Sequence, residues 1–398
     1  MDGSIEPRSV RRARYAVSAI FLIFGLIAGF WFVHIPVVAG RLALEPAVLG
    51  LALLCFGLGS LIFQPVAGVL VGRLGSRRAT VTFAVTLLVA MPIVINAVNA
   101  PMLFVALLVG GASGGALNVA LNTQASKVET ARGRPTMSVF HGFFSLGMLC
   151  ASVAGAAVIE RGWGDGSGAI AANALLLPVV LAAGAGLLPD SGPEEEGRGK
   201  RKAAGARFAL PAGALLGLAT LAFLANAIEF TVNDWSALFL TTEKGATAAE
   251  ATRGLGLFAL AMTVFRFAGG LVVSRIGAKR VVAGGGALAA IGMIIALASE
   301  DALLSTSGFL FIGIGASNLA PLLLSQASRI PGVAPGIGVA ATATGMTAGF
   351  LLAPPIIGFV AQAFTLPVAL GLSIVFGAII SAGALMRTWH GVAPSPPG

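Results

Sequence analysis

Three polar side chains at helical spacing are the residues of this chain best suited to chemistry. Asn226, Glu229 and Asn233 recur at i, i+3 and i+7, so a helix would carry them on one face. The residues around them are apolar, and an ionisable group within an apolar helix points to a function. A carboxyl group facing a cavity can load and release a proton. We predict that Glu229 is a proton-coupling group, and the structural alternative is a fixed hydrogen bond to a neighbouring helix.

Arg266 is the basic residue placed deepest within an apolar segment. Its guanidinium needs an acceptor, and a carboxylate fits its fork of donors. Glu229 lies on the preceding segment, but counting rises of 1.5 Å per residue places Glu229 about 30 Å and Arg266 about 12 Å from the same face. These depths argue against a close contact and leave open whether the two residues pair. The alternatives for Arg266 are an anionic substrate and a backbone acceptor.

Three further titratable residues could each have more than one role. His34 follows Trp31 by one turn, precedes Pro36 and titrates near neutral pH, so it is either a proton-coupling residue or a structural histidine. Asp234 is expected at the outer end of its segment, as an outer-gate residue or as a solvated surface charge, and with His34 it is an alternative to Glu229 as the proton-coupling group. His141 is expected near the opposite membrane face, as a gating residue or in helix–helix hydrogen bonding.

Uncharged polar side chains within the apolar segments are candidates for contact with a substrate. Amides and hydroxyls that project inward match the donors and acceptors of a hydroxyl-rich ligand, and a tryptophan can stack on a sugar face. The same groups also join helices together. With Glu229, His34 and Arg266, the substrate-binding candidates are Trp31, Asn118, Asn122, Asn226, Asn233, Asn318, Thr344 and Thr347.

The elements that would position these residues are membrane-spanning helices. Hydrophobic residues make up 57% of the 398 residues and charged residues only 10%, which excludes a soluble protein of this length. A spanning helix needs about 20 mainly apolar residues. Twelve segments satisfy this: 16–38, 47–71, 79–98, 101–126, 138–160, 168–188, 209–231, 250–274, 280–298, 303–328, 337–363 and 365–386.

The chain repeats itself at an offset of 202 residues. Residues 68–78 (GVLVGRLGSRR) return as 270–280 (GLVVSRIGAKR), and residues 124–127 (QASK) return as 326–329 (QASR). Two similar membrane halves are typical of a secondary transporter with its binding site between the halves. The predicted organisation is an N-terminal tail (1–15), a six-helix half (16–188), a polar linker (189–208), a second six-helix half (209–386) and a C-terminal tail (387–398).

The distribution of charge predicts the topology. Twenty of the 25 Lys and Arg residues lie on the side of the termini and four on the other, so both termini are expected in the cytoplasm. This asymmetry assigns the net charge of +9 to membrane orientation and excludes nucleic-acid binding. Cys55 and Cys150 fall in apolar segments and are expected to be buried thiols. No motif indicates a metal, a cofactor or an enzyme.

The repeated loop resembles a known family signature. Residues 68–78 and 270–280 are similar to the G-x-x-x-D-R-x-G-R-R motif between helices 2 and 3 of the Major Facilitator Superfamily. Residues 31–36 (WFVHIP), 140–147 (FHGFFSLG) and 229–236 (EFTVNDWS) resemble a bacterial branch near the fucose-permease type of sugar permease. The resemblance implies alternating access around a central site formed mainly by helices 1, 4, 5, 7, 8, 10 and 11.

The chain departs from this family pattern in three places. The acidic position of the signature is Gly72 in one copy and Ser274 in the other, so the latch between helix ends must rely on basic residues meeting backbone carbonyls or Glu129. Helix 4 has Leu107 and Leu108 where many proton-coupled members have arginine, and helix 5 lacks a Gly-Pro pair. The last two departures argue against a drug/proton antiporter. The gating candidates are Arg73, Arg77, Arg78, Glu129, His141, Arg275, Lys279 and Arg280.

Together these patterns predict an all-α, twelve-helix permease in the cytoplasmic membrane of a bacterium. The predicted mechanism is proton-coupled symport of a small polar, possibly sugar-like solute by a monomer in the lipid bilayer, without a cofactor. The alternatives are efflux of an amphipathic compound, and a non-transporting receptor or scaffold on the same fold.

Overall fold

The computed structural model describes residues 7–133, 136–163, 166–190, 213–331, 333, 335–387 and 389. These residues form thirteen helices and no strand: α1 Arg8–Arg41, α2 Pro46–Leu74, α3 Ser76–Ile95, α4 Ala100–Arg132, α5 Met137–Glu160, α6 Ser167–Gly186, α7 Gly213–Glu243, α8 Ala248–Ile276, α9 Ala278–Ala298, α10 Ala302–Ala316, α11 Leu319–Ala327, α12 Pro335–Ala363 and α13 Leu366–Met386.

Twelve spans are long and apolar enough to cross a membrane, which confirms the predicted all-α architecture. α10 and α11 form one span, Ala302–Ala327, interrupted at Ser317 and Asn318. Two boundaries differ by eight residues or more from those expected. α1 begins at Arg8, inside the predicted N-terminal tail. α7 continues to Glu243, twelve residues past its expected end, because an apolar stretch resumes after Asp234. The predicted linker, 189–208, lies outside the described residues except for 189 and 190.

The two halves repeat in space as well as in sequence. Gly75 and Gly277 end α2 and α8 with nearly the same backbone geometry, φ 82° and ψ 151° against φ 84° and ψ 150°. A Cβ atom built on Gly111 would lie 1.8 Å from the carbonyl oxygen of Phe56, and one built on Gly313 would lie 2.6 Å from that of Phe258. Both pairs obey the 202-residue offset. Close packing of α2 on α4, and of α8 on α10, therefore depends on equivalent glycines.

The halves meet along α5 and α8 and along α2 and α12. We call the end of the bundle with the α2–α3 and α8–α9 turns the basic end, and the other the opposite end. Toward the opposite end, the amide of Ala47 donates to Gln362 Oε1 at 3.1 Å, and Ser152 Oγ donates to the carbonyl of Thr252 at 2.6 Å. A Cβ atom on Gly50 would lie 2.7 Å from the carbonyl oxygen of Pro354. These contacts close the bundle at the opposite end.

Candidate functional site

A central cavity of about 680 Å³ lies between the two halves. α1, α2, α4 and α5 line it from the first half and α7, α11 and α12 from the second, with two residues of α3. The helices expected around the site are therefore present apart from α8, and α2 joins them. Among the described lining residues, the aromatic side chains are Phe21, Phe24, Trp31, Phe32, Phe56, Phe144, Phe230 and Phe350.

The cavity is accessible from the basic end. Asn118, His141 and Ala343 line it on the side of the basic end and are exposed. Trp31 and Asp234 line it toward the opposite end, and they are only 3% and 5% exposed. The cavity thus narrows toward the end at which the two halves are in contact.

The face of α7 that lines the cavity differs from the predicted one. Asn226, Phe230 and Asp234 point into the cavity at i, i+4 and i+8, whereas Glu229 and Asn233 are not among the lining residues. Neighbouring residues on a helix are rotated by about 100°, so Glu229 faces α8 while Phe230 faces the cavity. Of the three residues predicted to face the bundle interior or a cavity, only Asn226 lines the cavity, and Glu229 follows the structural alternative of a bond to a neighbouring helix.

Arg266 and Glu229 form an ion pair, in contrast to the depth estimate. Arg266 Nη2 lies 3.2 Å from Glu229 Oε1 and 3.4 Å from Oε2, and Nη1 donates to Ser145 Oγ at 2.8 Å. The error arose from the helix ends. Measured from the turn between α7 and α8, Glu229 and Arg266 lie about 21 Å and 27 Å deep, a difference that an arginine side chain spans. Since Ser145 belongs to α5, Arg266 also joins the two halves.

Asp234 is a buried cavity residue and neither terminates its helix nor lies on a solvated surface. It lies inside α7, is 5% exposed, and has no hydrogen-bond or ion-pair partner among the described residues. This burial without a partner sets it apart from Glu229, whose carboxylate is held by Arg266.

Most of the amides and hydroxyls at the cavity wall donate their hydrogen bonds within the protein. Asn122 Nδ2 donates to the carbonyl of Asn118 at 2.8 Å, and Asn226 Nδ2 donates to the carbonyl of Met346 at 2.9 Å. Thr347 Oγ1 donates to the carbonyl of Ala343 on its own helix at 3.0 Å. These bonds use part of the polar capacity of the wall, and each amide side chain keeps further donor or acceptor positions.

The other polar candidates lie away from the cavity wall. Asn318 Nδ2 donates to the carbonyl of Phe265 at 2.9 Å, which joins the α10–α11 break to α8. Thr344 Oγ1 donates to the carbonyl of Ala340 on its own helix at 2.9 Å, and Asn233 is buried with its Oδ1 unpartnered. These three residues are therefore placed to shape the helices rather than to touch a ligand in this conformation.

The two histidines occupy different environments. His34 is fully buried outside the cavity lining, and its Nδ1–H donates to the carbonyl of Phe30 at 2.7 Å, which leaves Nε2 without a partner. His141 lines the cavity, with its ring centroid 5.2 Å from that of Phe21. Of the two, only His141 is placed to meet a ligand in this conformation.

The α2–α3 turn is held by a carboxylate that the sequence reasoning missed. Asp190 Oδ1 accepts hydrogen bonds from Ser76 N and Ser76 Oγ, both at 2.7 Å, and from Lys127 Nζ at 3.0 Å. Partial burial opposes ionisation of Asp190, but the bonds from Ser76 and Lys127 and the charge of Lys127 outweigh it and hold the pKa of Asp190 below its usual value. The available signal was an acid immediately after the sixth segment, which was assigned to the linker.

The basic latch candidates are only partly engaged. Arg77 meets backbone carbonyls as expected, with Nε donating to Gly184 at 3.1 Å. Glu129 does not meet the arginines of these turns: its Oε2 accepts from the amides of Thr136 and Met137 and so caps the start of α5. Five candidates have no hydrogen-bond or ion-pair partner within the described ranges: Arg73, Arg78, Arg275, Lys279 and Arg280.

No group of three or more His, Cys, Asp and Glu residues that could hold a metal ion occurs in the described part of the chain. Both cysteines are free. Cys55 is half-buried and Cys150 is exposed, so the expectation of two buried thiols was wrong for Cys150. Cys150 lies on the outer surface of an apolar helix, where burial by lipid replaces burial by protein.

The chain resembles known membrane transporters over most of its length. It is 35% identical over 351 residues to an uncharacterised MFS-type transporter of Yersinia pestis, covering 88% of this chain and 89% of that protein. It is 30% identical over 375 residues to the membrane protein MosC of Rhizobium meliloti, covering 94% and 90%. A bacterial homologue of the human lysosomal transporter Spinster, solved inward-facing and occupied, shares the fold with a TM-score of 0.73 at 13% identity, covering 96% of this chain and 97% of that one.

The chain also matches the sequence profile of the Major Facilitator Superfamily. The profile matches residues 16–334, which include the two signature loops and the first ten of the twelve spans, the first of them from residue 16 onward. The match to the profile, together with relatives of 30% identity or more over most of both chains, is sufficient to assign the family. The protein is a multi-pass membrane transporter of the Major Facilitator Superfamily.

Proposed function

We propose that this transporter moves a small amphipathic solute through the central cavity by alternating access, and that transport is coupled to protons. The observation that carries the proposal is the cavity itself: it lies between two repeated halves, is closed at one end, and contains an unpaired carboxylate, that of Asp234. Ionisable residues inside membrane segments typically mark substrate and proton pathways.

Alternating access is supported by the way in which the halves meet. At the opposite end, α2 and α12 touch through small residues, since Gly50 and Gly358 approach each other's backbones within about a van der Waals contact. Such an interface can separate without breaking a large interlocked core. Rocking of the halves about the cavity would close the basic end and open the opposite end.

Proton coupling is supported more strongly by Asp234 than by Glu229. The carboxylate of Glu229 is already paired with the Arg266 guanidinium at 3.2 Å, so proton binding at Glu229 would compete with an existing ion pair. Asp234 has no counter-ion among the described residues, and its buried charge has to be neutralised by something that enters the cavity. Glu229 and His34 remain candidates for the proton-linked group. We place Asp234 before them.

An amphipathic solute fits the cavity better than the sugar-like solute expected from the sequence. A sugar needs many matched donors and acceptors, but the side chains of Asn122, Asn226 and Thr347 donate to backbone carbonyls. Eight aromatic side chains line the same space. The balance of eight aromatic side chains against six amide or hydroxyl side chains at the wall therefore favours an amphipathic solute over a polyol.

The proposed location is the cytoplasmic membrane of a bacterium, with both termini in the cytoplasm and the cavity of this conformation facing inward. The excess of basic residues at the basic end supports this orientation. We also propose that one chain is the working unit, because its two halves together enclose the cavity. A receptor or scaffold on this fold would not need a proton-linked cavity.

The test is a proton-flux assay in proteoliposomes that contain a trapped pH-sensitive dye. A library of sugars, amino acids, organic acids, alcohols and amines is added outside, and both internal pH and solute uptake are followed. Transport predicts that at least one solute moves protons, that the movement saturates, and that Asp234→Asn abolishes it. Glu160→Gln, which removes an exposed carboxylate at the end of α5, should leave the flux unchanged. Solute flux without proton movement would refute coupling, and no flux with any solute would favour the receptor.

A further inference from the structure

The closed end of the cavity carries one acidic side chain and no basic one among the described lining residues. Asp234 is the one carboxylate among the described lining residues, and none of those lining residues is Lys or Arg. The remaining titratable lining residue, His141, lies near the basic end of α5. In its ionised form, Asp234 would present a solute at the closed end with a negative charge that no described lining residue compensates.

The helices packed against α7 do not supply a counter-ion. α10, α11, α12 and α13 contain no charged residue, as their sequences show. On α8, Arg266 is engaged by Glu229 and Ser145, while Glu250 bonds Thr247 and Arg253 is exposed. On α1, His34 bonds Phe30, and Arg41 donates to the carbonyl of Ala97 at 3.0 Å. None of these groups contacts Asp234.

Aromatic rings lie one helical turn from the Asp234 carboxylate. Phe230 precedes Asp234 by four residues on the same face of α7, and its ring centroid is 4.5 Å from that of Phe350 on α12. Phe350 in turn meets Phe56 of α2 edge to face, at 6.5 Å. Aromatic faces attract cations through their quadrupoles, and the attraction is larger away from water. A carboxylate beside an aromatic cluster suits a ligand with a positive charge and an apolar body.

We propose that the solute is an amphipathic organic monocation, an ammonium or quaternary ammonium compound, whose charge pairs with Asp234 while its apolar part contacts Phe230, Phe350 and Phe56. This inference deepens the proposed function and rests on it for the site. One carboxylate neutralises one charge, so a proton and the organic cation would occupy Asp234 in turn. This is exchange of a proton for the solute and replaces the symport predicted from the sequence, although helices 4 and 5 lack the residues found in many antiporters of the family. An anionic solute would be repelled by the ionised carboxylate, and a neutral polyol could not replace the proton.

The experiment compares an amine and an alcohol of the same shape that differ in charge, with a quaternary ammonium compound as a second cation. Binding of 4-phenylbutylamine, 4-phenylbutanol and benzyltrimethylammonium to the purified full-length protein in nanodiscs is measured by calorimetry and by thermal stabilisation at neutral pH. The same titrations are made with Asp234→Asn, Asp234→Glu and the control Glu160→Gln. Asp234→Asn keeps the size and hydrogen-bonding capacity of the side chain and removes its charge. Asp234→Glu keeps the charge.

Wild type and Glu160→Gln should bind the amine at least tenfold more tightly than the alcohol, a difference of about 1.4 kcal/mol. Asp234→Asn should reduce this preference to about twofold or less with little change for the alcohol, and Asp234→Glu should retain most of it. An amine preference that survives Asp234→Asn would overturn the inference, as would equal affinities for amine and alcohol in the wild type. The wild-type comparison remains decisive if the variants do not fold.

This failure is distinguishable from failure of the proposed function. A neutral or anionic solute that moves protons in the proteoliposome assay, with no response to the amines, would support coupled transport and overturn the cationic solute. Saturable binding of the amines without flux of any library compound would support the ligand class and overturn transport.

Discussion

Replacing Arg266 and replacing Glu229 should lower the stability of the protein by different amounts, although the two form one ion pair. Arg266 has acceptors besides Glu229, since Nη1 donates to Ser145 Oγ at 2.8 Å and Nε donates to the carbonyl of Ser317 at 3.4 Å. Glu229 has no described partner other than Arg266. Removing Arg266 leaves the Glu229 carboxylate without a described partner, whereas removing the charge of Glu229 leaves Arg266 with other acceptors. We therefore expect Arg266→Gln to be the more damaging change.

The magnitude follows from burial. Breaking a fully buried pair by removing one partner lowers the free energy of unfolding by about 3–5 kcal/mol. The side chains of Arg266 and Glu229 are 18% and 19% exposed, so partial solvation reduces the expected loss for Arg266→Gln to about 2–4 kcal/mol. Glu229→Gln keeps an acceptor for Arg266 and exchanges a charged hydrogen bond for a neutral one, with an expected loss of about 1 kcal/mol.

The assay is reversible unfolding in mixed micelles, with increasing SDS and helix content as the readout, for both single variants and the double variant. The double variant should lose less than the sum of the single losses by about 1–2 kcal/mol, since its stranded carboxylate is also gone. Arg253→Gln removes an exposed arginine of the same helix and should change stability by less than about 0.5 kcal/mol. Equal losses for both single variants, or strict additivity, would refute the assigned geometry.

Three further outcomes test other parts of the structure. Cysteines introduced at Arg280 and Glu243, in a background without native cysteines, should label from opposite sides of intact cells; outside labelling at 280 would reverse the topology. Asp190→Asn should lower the free energy of unfolding by about 1 kcal/mol at neutral pH. Because folding lowers the pKa of Asp190, its contribution to stability is present above the ordinary carboxyl pKa and is lost as pH falls through the folded pKa. The melting temperatures of wild type and variant should therefore converge at low pH. Gly59→Ala should lower the free energy of unfolding by about 1–3 kcal/mol or more, because the added Cβ would lie 2.0 Å from a carbonyl oxygen of α4. Gly68→Ala on the same helix should be neutral, since its Cβ would meet nothing within 4 Å. Similar melting temperatures for the two variants would contradict the α2–α4 packing.

The architecture could be predicted from the sequence because it depends on quantities that accumulate over many residues. Twenty consecutive apolar positions determine a span whatever their order, and a repeat at one offset of 202 residues determines two related halves. The repeat even predicts packing: Gly111 and Gly313 occupy equivalent close approaches in the two halves. Such patterns tolerate errors of several residues in each boundary.

The site depends on helix ends and helix rotation, and small errors in these change which side chains meet. Ending α7 twelve residues early placed Asp234 at a membrane surface and Glu229 at the wrong depth relative to Arg266. The polar spacing of Asn226, Glu229 and Asn233 correctly identified an important helix, but spacing alone leaves undetermined which arc of that helix faces the cavity. The choice was made by α8, whose Arg266 holds Glu229, and by the aromatic rings of α12, which pack beside Phe230 and leave Asp234 unpaired in the cavity. Contacts between segments far apart in the chain decide these orientations, so only the tertiary structure shows which carboxylate is paired and which is free to meet a ligand.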